Sequence, residues 1–394
     1  MIDRDLAPVL LRAAGEYPVV TVTGPRQSGK TTLVRGLFPD HGYCNLEHPE
    51  IRSLAETDPR SFFELNPGRL IIDEVQRVPE LLSWIQVRVD EAGIKGHYIL
   101  TGSHQLSLHE AIAQSLAGRT ALLRLLPFSF AELHKAGLSP GKGEALLTGF
   151  MPRIYDDHLQ PSFAYRNYFQ TYVERDVRQL IQLKNVTLFE RFMKLSAGRV
   201  GQPVNYQSLG NDVGVSRTTI TEWLSILEAS FIIFTLAPYY QNFGKRLIKS
   251  PKIYFVEPGL ATWLLGIESE EQVMRDPLHG NLFENMVVAE ALKERFNDGR
   301  DPGLYFWRDT NGNEIDLLWD RQRDLVPMEI KSAMTWNKSF PKAIRRFQKN
   351  VPVSEPGYVV YAGEIEPSDE SYSAVHFSKL ASIFREGSGD GRNR

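Results

Sequence analysis

Val19-Val-Thr-Val-Thr-Gly-Pro-Arg-Gln-Ser-Gly-Lys-Thr-Thr32 decides how the rest of this chain is read. Its first five residues are valine and threonine, the composition of a strand buried on both faces of a parallel sheet. Gly24-Pro-Arg-Gln-Ser-Gly-Lys-Thr31 then fits G-x-x-x-x-G-K-[ST], and residues 32–37 continue as a helical run, the strand and helix that this motif requires on its two sides. Glycines let main-chain N–H groups curl around phosphate oxygens, and the helix start faces the anion with its positive end. The candidate nucleotide-binding residues are therefore Gly24, Pro25, Arg26, Gln27, Ser28, Gly29, Lys30, Thr31 and Thr32. Lys30 is placed to reach the β- and γ-phosphates and Thr31 to hold Mg²⁺.

Working outward, residues 69–74 read Arg-Leu-Ile-Ile-Asp-Glu, an apolar strand ending in two acids. Asp73 is the candidate partner of Mg²⁺, and Glu74 the candidate group that polarises the attacking water. A third strand ends in Leu100-Thr-Gly-Ser-His104, which puts polar side chains at the carboxyl edge of the sheet, where open α/β sheets bind nucleotides. Ser103 is a candidate sensor of the γ-phosphate. Arg119, in Ser115-Leu-Ala-Gly-Arg119, is a candidate for stabilising transition-state charge in its own subunit or a neighbour's, or else a surface arginine paired with an acid. Guanine recognition would call for N-K-x-D. The nearest approach, Asn337-Lys-Ser-Phe340, lacks the acid, so the expected nucleotide is ATP.

Composition sets the frame. With 394 residues the chain has room for two to four domains, since one usually takes about 100–200 residues. Hydrophobic residues make up 42% and charged residues 24%, an ordinary globular balance. The net charge of −3 gives no overall attraction to nucleic acid, so any such binding must come from local basic patches. Cys44 is the only cysteine, which excludes an internal disulfide and a thiolate zinc site and fits a reducing compartment. The start Met1-Ile-Asp-Arg-Asp-Leu is acidic where an export signal is basic, and the most apolar run, residues 229–240, is shorter than the roughly 20 residues of a membrane span. The expectation is a soluble, cytoplasmic protein with no membrane helix.

Strand-like runs at residues 19–23, 70–73, 98–101 and 121–126 alternate with helical stretches, including apolar Leu81, Leu82, Ile85 and Val89 at helical spacing over residues 79–92. This is the pattern of a parallel sheet covered by helices. The chain is therefore divided into an ATPase domain (1–135), a helical lid or spacer (136–198) with amphipathic segments at 163–183 and 188–197, a winged helix-turn-helix (199–258), a nuclease-like α/β domain (259–385) and a disordered tail (386–394).

The motifs together resemble the predicted AAA-type ATPases of bacteria and archaea that carry a C-terminal domain of unknown function. The resemblance covers most of the chain. It rests on the loop at Gly24 to Thr31, Leu70-Ile-Ile-Asp-Glu-Val-Gln76, Leu100-Thr-Gly-Ser103, Ser115-Leu-Ala-Gly-Arg119, Leu126-Pro-Phe-Ser-Phe-Ala-Glu132 and Tyr172-Val-Glu-Arg-Asp176. Glu257, in Phe255-Val-Glu-Pro-Gly-Leu260, departs from the Asp common in that group. Membership implies an ATPase and leaves its cellular task open.

Residues 205–228 have the cadence of helix, glycine turn and second helix capped by Ser216. Leu209, Val213, Val215, Ile220, Leu224 and Leu227 form its apolar seam, leaving Arg217, Thr218, Thr221 and Glu222 toward a groove. Lys245, Arg246, Lys249 and Lys252, near a strand-like wing, are the candidate phosphate contacts. Such a module also serves as a spacer or a protein-docking surface.

The order helix (281–296), three strands (304–308, 314–319, 325–331), helix (341–349) and strand (358–361) resembles the core of restriction-endonuclease-like nucleases. Side chains two apart on a strand share a face, so Glu314 pairs with Asp316 and Glu329 with Lys331. Asp316, Glu329 and Lys331 are the candidate catalytic set, with Asp316 and Glu329 as Mg²⁺ ligands and Glu284, from the preceding helix, approaching the same point. The leading expectation is an ATPase that binds DNA and cleaves it with Mg²⁺, and a homo-oligomer if an arginine acts between subunits. The alternative is a nucleotide-controlled switch or scaffold that docks DNA or protein without cutting.

Overall fold

The computed structural model describes residues 2–103, 114–177, 186–239, 250–309, 312–321, 324–351 and 355–386. His104, Lys245, Arg246, Lys249, Asn311 and the tail beyond Glu386 lie outside the described residues. The chain divides into two compact units: one runs to Phe128 and takes in residues 229–231 and 296–300, and the other holds the remainder from Ser129 onward.

In the first unit α1 (Ala7–Glu16), β1 (Val19–Thr23), α2 (Lys30–Leu37), β2 (Gly42–Asn45), α3 (Pro49–Thr57), α4 (Pro59–Leu65), β3 (Leu70–Asp73), α5 (Leu81–Ala92), β4 (Tyr98–Gly102) and β5 (Thr120–Arg124) follow in order. The strands form one parallel sheet in the order β2-β3-β4-β1-β5. Alternation decides which face each side chain covers. Leu70, Ile72, Tyr98 and Leu100 pack with Phe62 and Phe63 of α4 and with Leu81, Leu82, Ile85 and Val89 of α5. Ile71, Ile99, Val20 and Val22 pack on the other face with Leu10 and Ala13 of α1 and Leu33 and Val34 of α2. The four strands read from apolar runs are present. β2 was missed, because Gly-Tyr-Cys-Asn has no strand-like composition and is held by its register on β3, Gly42 opposite Leu70 through Asn45 opposite Asp73.

The strand order has a functional consequence. β4 lies between β1 and β3, so the loop after β1, the end of β4 and the acids ending β3 emerge side by side at the carboxyl edge.

The second unit opens with helices α6 (Phe130–Lys135), α7 (Lys142–Thr148), α8 (Pro152–Asp156) and α9 (Pro161–Tyr168), the last continued by a wider π-helical stretch, Phe169–Val177. The amphipathic run expected over 163–183 thus changes its winding at Phe169, and residues 178–183 lie outside the described part. Then come α10 (Val186–Ala197), α11 (Tyr206–Val213) and α12 (Arg217–Ala229). The α11–α12 turn passes through Gly214 at φ 94°, and Ser216 Oγ caps the second helix by accepting from the Thr219 N–H, 3.1 Å. β6 (Ile233–Leu236) and β7 (Lys252–Phe255) pair antiparallel.

After α13 (Pro258–Leu264), α14 (Glu270–Arg275) and the long α15 (His279–Asn297), a mixed sheet forms from β8 (Leu304–Arg308), β9 (Glu314–Arg321), β10 (Asp324–Lys331), β11 (Gly357–Tyr361), β12 (Ser368–Asp369) and β13 (Tyr372–His376), with α16 (Lys342–Asn350) before β11 and α17 (Leu380–Glu386) at the end. Its order is β12-β13-β11-β10-β9-β8. Ile344 and Phe347 of α16 pack with Ile315, Leu325, Val359 and Tyr372. β12, β13 and α17 had no counterpart in the sequence reading, since Ser-Asp and Tyr-Ser-Ala-Val-His carry little apolar signal. Among the described residues no helix is long and apolar enough to cross a membrane.

Phe63 tests the packing of the first unit. It is fully buried, edge-on to Phe62 at 5.1 Å and to Tyr98 at 5.9 Å. Phe63→Ala is expected to cost about 3–5 kcal/mol, read as a lowered urea midpoint for the loss of first-unit structure.

Candidate functional site

The nucleotide loop is shaped by a close approach that only glycine permits. A Cβ on Gly24 would stand 2.0 Å from the Leu125 carbonyl oxygen, a backbone atom that cannot step aside. Arg4 clamps the same approach, donating from Nη1 to Ser28 O and from Nη2 to Leu126 O, each 2.6 Å. The loop then turns through left-handed Gln27 (φ 64°) and Gly29 (φ 89°) into α2, which starts at Lys30.

Lys30 is buried, and its ammonium donates to Gly24 O at 2.9 Å and Pro25 O at 2.8 Å. Burial lowers its pKa to about 8, against the opposing pull of Glu74 and Asp73. Ser28 Oγ is buried with no hydrogen-bond partner among the described residues. This free hydroxyl, the curled main chain and the lysine head fit a magnesium nucleotide: the loop, Ser28 and Lys30 would hold phosphate oxygens, and Thr31 and Asp73 the metal. Bound Mg²⁺ would neutralise charge on the phosphates.

Asp73 is the best-supported acid. Its carboxylate accepts from Thr31 Oγ1 at 2.9 Å, from Tyr43 OH at 2.8 Å and from Thr101 Oγ1. Tyr43 and Thr101 were not singled out from sequence; the signal for Thr101 was its place one residue before Gly102 at a strand end. Glu74 stands at φ 57° and ψ 45°. Its N–H donates to Thr101 Oγ1 at 3.2 Å, and its Oε2 accepts from Ser103 Oγ at 3.1 Å and from Gln76 Nε2. Ser103 thus lies against the Glu74 carboxylate.

Arg119 lies elsewhere. Val19 N–H donates to its carbonyl at 3.2 Å, which puts it at the amino edge of the sheet, four residues of β1 away from the loop at the carboxyl edge. Its guanidinium is engaged by Asp90, Nε to Oδ1 2.6 Å and Nη2 to Oδ2 2.8 Å. A charge-stabilising role in its own subunit therefore needs a correction: roughly 13 Å of strand intervenes at about 3.3 Å per residue.

In the second unit the in-register hairpin of β9 and β10 brings Asp316 and Glu329 together as alternation implied. Lys331 Nζ sits 3.2 Å from Asp316 Oδ2 and 2.5 Å from Glu329 Oε2, and Asp316 Oδ2 also accepts from the Ile330 N–H at 2.8 Å. Glu284 reaches the neighbourhood from α15, but its partners are Lys252 Nζ at 2.9 Å and Tyr254 OH at 2.6 Å. Lys252 also meets Glu314 at 2.6 Å and is 2% exposed, so it is not the phosphate-facing wing residue expected. Its burial favours the neutral amine, yet Glu284, Asp316 and Glu314 outweigh this and raise its pKa. Among the described residues no group of three or more His, Cys, Asp or Glu is arranged to hold a metal, and Asp316 and Glu329, the acids expected to hold Mg²⁺, share the Lys331 ammonium. Arg217 and Thr218 are exposed at the start of α12. Glu257 is a buried helix cap, accepting from the Phe150 N–H at 2.9 Å, Tyr165 OH at 3.0 Å and the Gly259 N–H at 3.3 Å.

The parallel sheet, its phosphate loop and the paired acids define the first unit as a P-loop ATPase domain of the AAA type, and residues 16–134 match the family described as AAA domain. Residues 143–271 match Domain of unknown function (DUF8612), and residues 279–380 match Domain of unknown function (DUF4143). The chain belongs to the family of the uncharacterized proteins Rv2008c of Mycobacterium tuberculosis and Mb2031c of Mycobacterium bovis, to each of which it is 32% identical over 365 residues, covering 92% of this chain and 80% of theirs. An uncharacterized protein of Haemophilus influenzae is 24% identical over 347 residues, 79% of this chain and 82% of that one. Among solved structures, a Walker-type ATPase of Pyrococcus abyssi is 15% identical with a TM-score of 0.44, covering 67% of this chain and 96% of that one.

The acidic cluster makes stability depend on pH. Burial first, and the charge of Asp316 second, raise Glu284 to about 7 and Glu329 to about 8. Between the ordinary carboxyl range and these values the folded state holds protons that the unfolded chain has lost, so stability falls as pH rises through that window. The urea midpoint of the full chain is expected to drop from pH 5 to pH 9, and Glu329→Gln to flatten the drop.

Proposed function

We propose that this protein binds and hydrolyses ATP with Mg²⁺ in its first unit and uses the turnover to act on DNA through its second. The observation that carries the ATPase reading is the convergence at one sheet edge of Lys30, Thr31, Asp73 and Glu74, with Thr31 bonded directly to Asp73. Lys30 and the loop amides bind and orient the triphosphate, Thr31 and Asp73 place the metal, and Glu74 accepts a proton from the attacking water. Adenine is preferred over guanine because the guanine-reading N-K-x-D is missing from the sequence.

DNA handling is supported by the exposed Arg217 and Thr218 at a capped helix start and by the Asp316, Glu329 and Lys331 grouping. In this reading α11, α12, β6 and β7 make a winged helix-turn-helix, and the sheet from β8 to β13 a restriction-endonuclease-like domain. The same grouping also supports the second reading, a switch or scaffold that docks DNA or protein without cutting, because Lys331 and Lys252 already neutralise its carboxylates. Arg119, half-buried at the amino edge and paired with Asp90, serves in catalysis only if it reaches a neighbouring copy in a homo-oligomer.

ATP turnover measured with and without single- and double-stranded DNA tests the first reading. The unsubstituted protein is expected to turn over ATP faster with DNA, Lys30→Ala to lose nucleotide binding, and Glu74→Gln to bind while slowing by roughly 10²–10⁴-fold. Binding unchanged in Lys30→Ala would remove the proposal. Cleavage is tested separately: Mg²⁺-dependent nicking that disappears in Asp316→Ala supports a nuclease. Function lost in Lys30→Ala but kept in Glu329→Ala supports the scaffold.

A further inference from the structure

Resting on the reading of the first unit as an ATP hydrolase, we propose that Gln76 is a second water-positioning group of that site, working beside Glu74. Gln76 lies in the single 3-10 turn Val75–Arg77 that follows the acid. Its Nε2 donates to Glu74 Oε2 and to Ser103 Oγ at 3.2 Å, while Ser103 Oγ donates to the same Glu74 oxygen at 3.1 Å.

This ring of three side chains fixes which way the carboxamide faces. Were it flipped, Oε1 would meet a carboxylate oxygen, two acceptors with no proton between them. Oε1 is therefore directed away from Glu74 and Ser103, and it is buried with no hydrogen-bond partner among the described residues. Folded proteins keep few such acceptors, and those they keep ask for a reason. A second unfavourable feature stands next to it in the chain: Glu74 occupies the left-handed region at φ 57°, which a side chain with a Cβ rarely adopts. Strain and unmet polar atoms gather where function holds them.

The chemistry calls for such an acceptor. A water that attacks phosphorus has two hydrogens, and both must be held aside for a lone pair to point along the line of attack. Glu74 takes one hydrogen, and Gln76 Oε1 supplies the other acceptor. As the water oxygen bonds to the γ-phosphorus, the bond to the bridging oxygen breaks and that oxygen leaves on ADP with the electron pair. One water proton passes to Glu74, and the other stays on the new phosphate, oriented by Gln76 until the bond has formed. The carboxamide stays neutral throughout, so its part is direction and not proton transfer.

The test uses the full-length protein and Gln76→Leu, which keeps the volume and removes the acceptor. Expected are a kcat lower by about 10²-fold, with KM for ATP and the Kd for ADP within about twofold of the unsubstituted protein. The affinity for ADP with aluminium fluoride, a complex that mimics the transition state and includes the in-line water, should fall by about tenfold or more. Retained ADP affinity also shows that the variant is folded. A kcat within twofold of the unsubstituted protein overturns the proposal, as does a loss of ADP affinity as large as the loss of kcat. Absence of ATP turnover before any substitution overturns the parent reading and this one with it, whereas full turnover in Gln76→Leu overturns this one alone.

Discussion

One buried carboxylate organises the nucleotide half of this protein. Asp73 is 3% exposed, and a carboxyl group so far from water is tolerated only when its oxygens are hydrogen-bonded. Three hydroxyls do this, Thr31 from α2, Tyr43 from β2 and Thr101 from β4, each on an element that meets β3 from a different direction. The arrangement therefore depends on register. A shift of β4 by one residue against β3, where Ile72 faces Leu100, would turn Thr101 to the opposite face of the sheet and leave the carboxylate short of a donor. The helix carrying Lys30, the edge strand and the central strand are tied to one point before any ligand arrives.

Two of the acidic sites among the described residues meet the cost of buried negative charge in opposite ways. Around Asp73 the partners are neutral hydroxyls, which satisfy lone pairs without cancelling the charge, and a threonine hydroxyl can rotate toward a cation. Around Asp316, Glu329, Glu284 and Glu314 the partners are the ammonium groups of Lys331 and Lys252, and burial further reduces the charge by keeping Glu284 and Glu329 protonated above the ordinary carboxyl range. Removing one member of such a buried pair leaves the other uncompensated, so the cluster is rigid in composition as well as in place. Hydroxyls hold the first carboxylate, and lysines pair with the second group of acids. This difference is why the ATPase reading rests on geometry while the choice between nuclease and docking platform rests on an experiment.

What could be read from the sequence follows the range of the interactions involved. The phosphate loop was legible because strand, loop and helix are contiguous, and its glycines answer a local demand, seen in the contact of Gly24 with the Leu125 carbonyl. β1, β3 and β4 were legible because strands buried on both faces are rich in apolar and β-branched residues, with threonine the only polar side chain before the closing residues. Asp316 and Glu329 were legible as neighbours because a hairpin in register needs only the two-residue alternation. Edge strand β2 was not, since its place is set by β3 and not by its own Gly-Tyr-Cys-Asn. Arg119 follows Ser103 by sixteen residues, a distance along the chain that says nothing of which edge of the sheet it reaches. Lys252 had the surroundings of a surface wing in sequence, and only the arrival of Glu284 and Glu314 from distant elements makes it a buried ion-pair partner.

Thr101 joins these strands of argument, because a single hydroxyl there uses both of its capacities. It donates to Asp73, the acid proposed for the metal, and accepts from the main-chain N–H of Glu74, the acid proposed for the water. The Glu74 N–H lies on the side of β3 that faces β4, as the Leu70 N–H donating to His97 O does, while the left-handed conformation accompanies the turn of the Glu74 side chain toward Ser103. The left-handed residue is thus hydrogen-bonded to the residue that also steadies Asp73. The two acids are adjacent in the chain yet are proposed for different tasks, and a regular strand would point them to opposite faces of the sheet. Breaking the strand at Glu74, and anchoring the break on Thr101, is how the fold keeps both at one edge beside the phosphate loop.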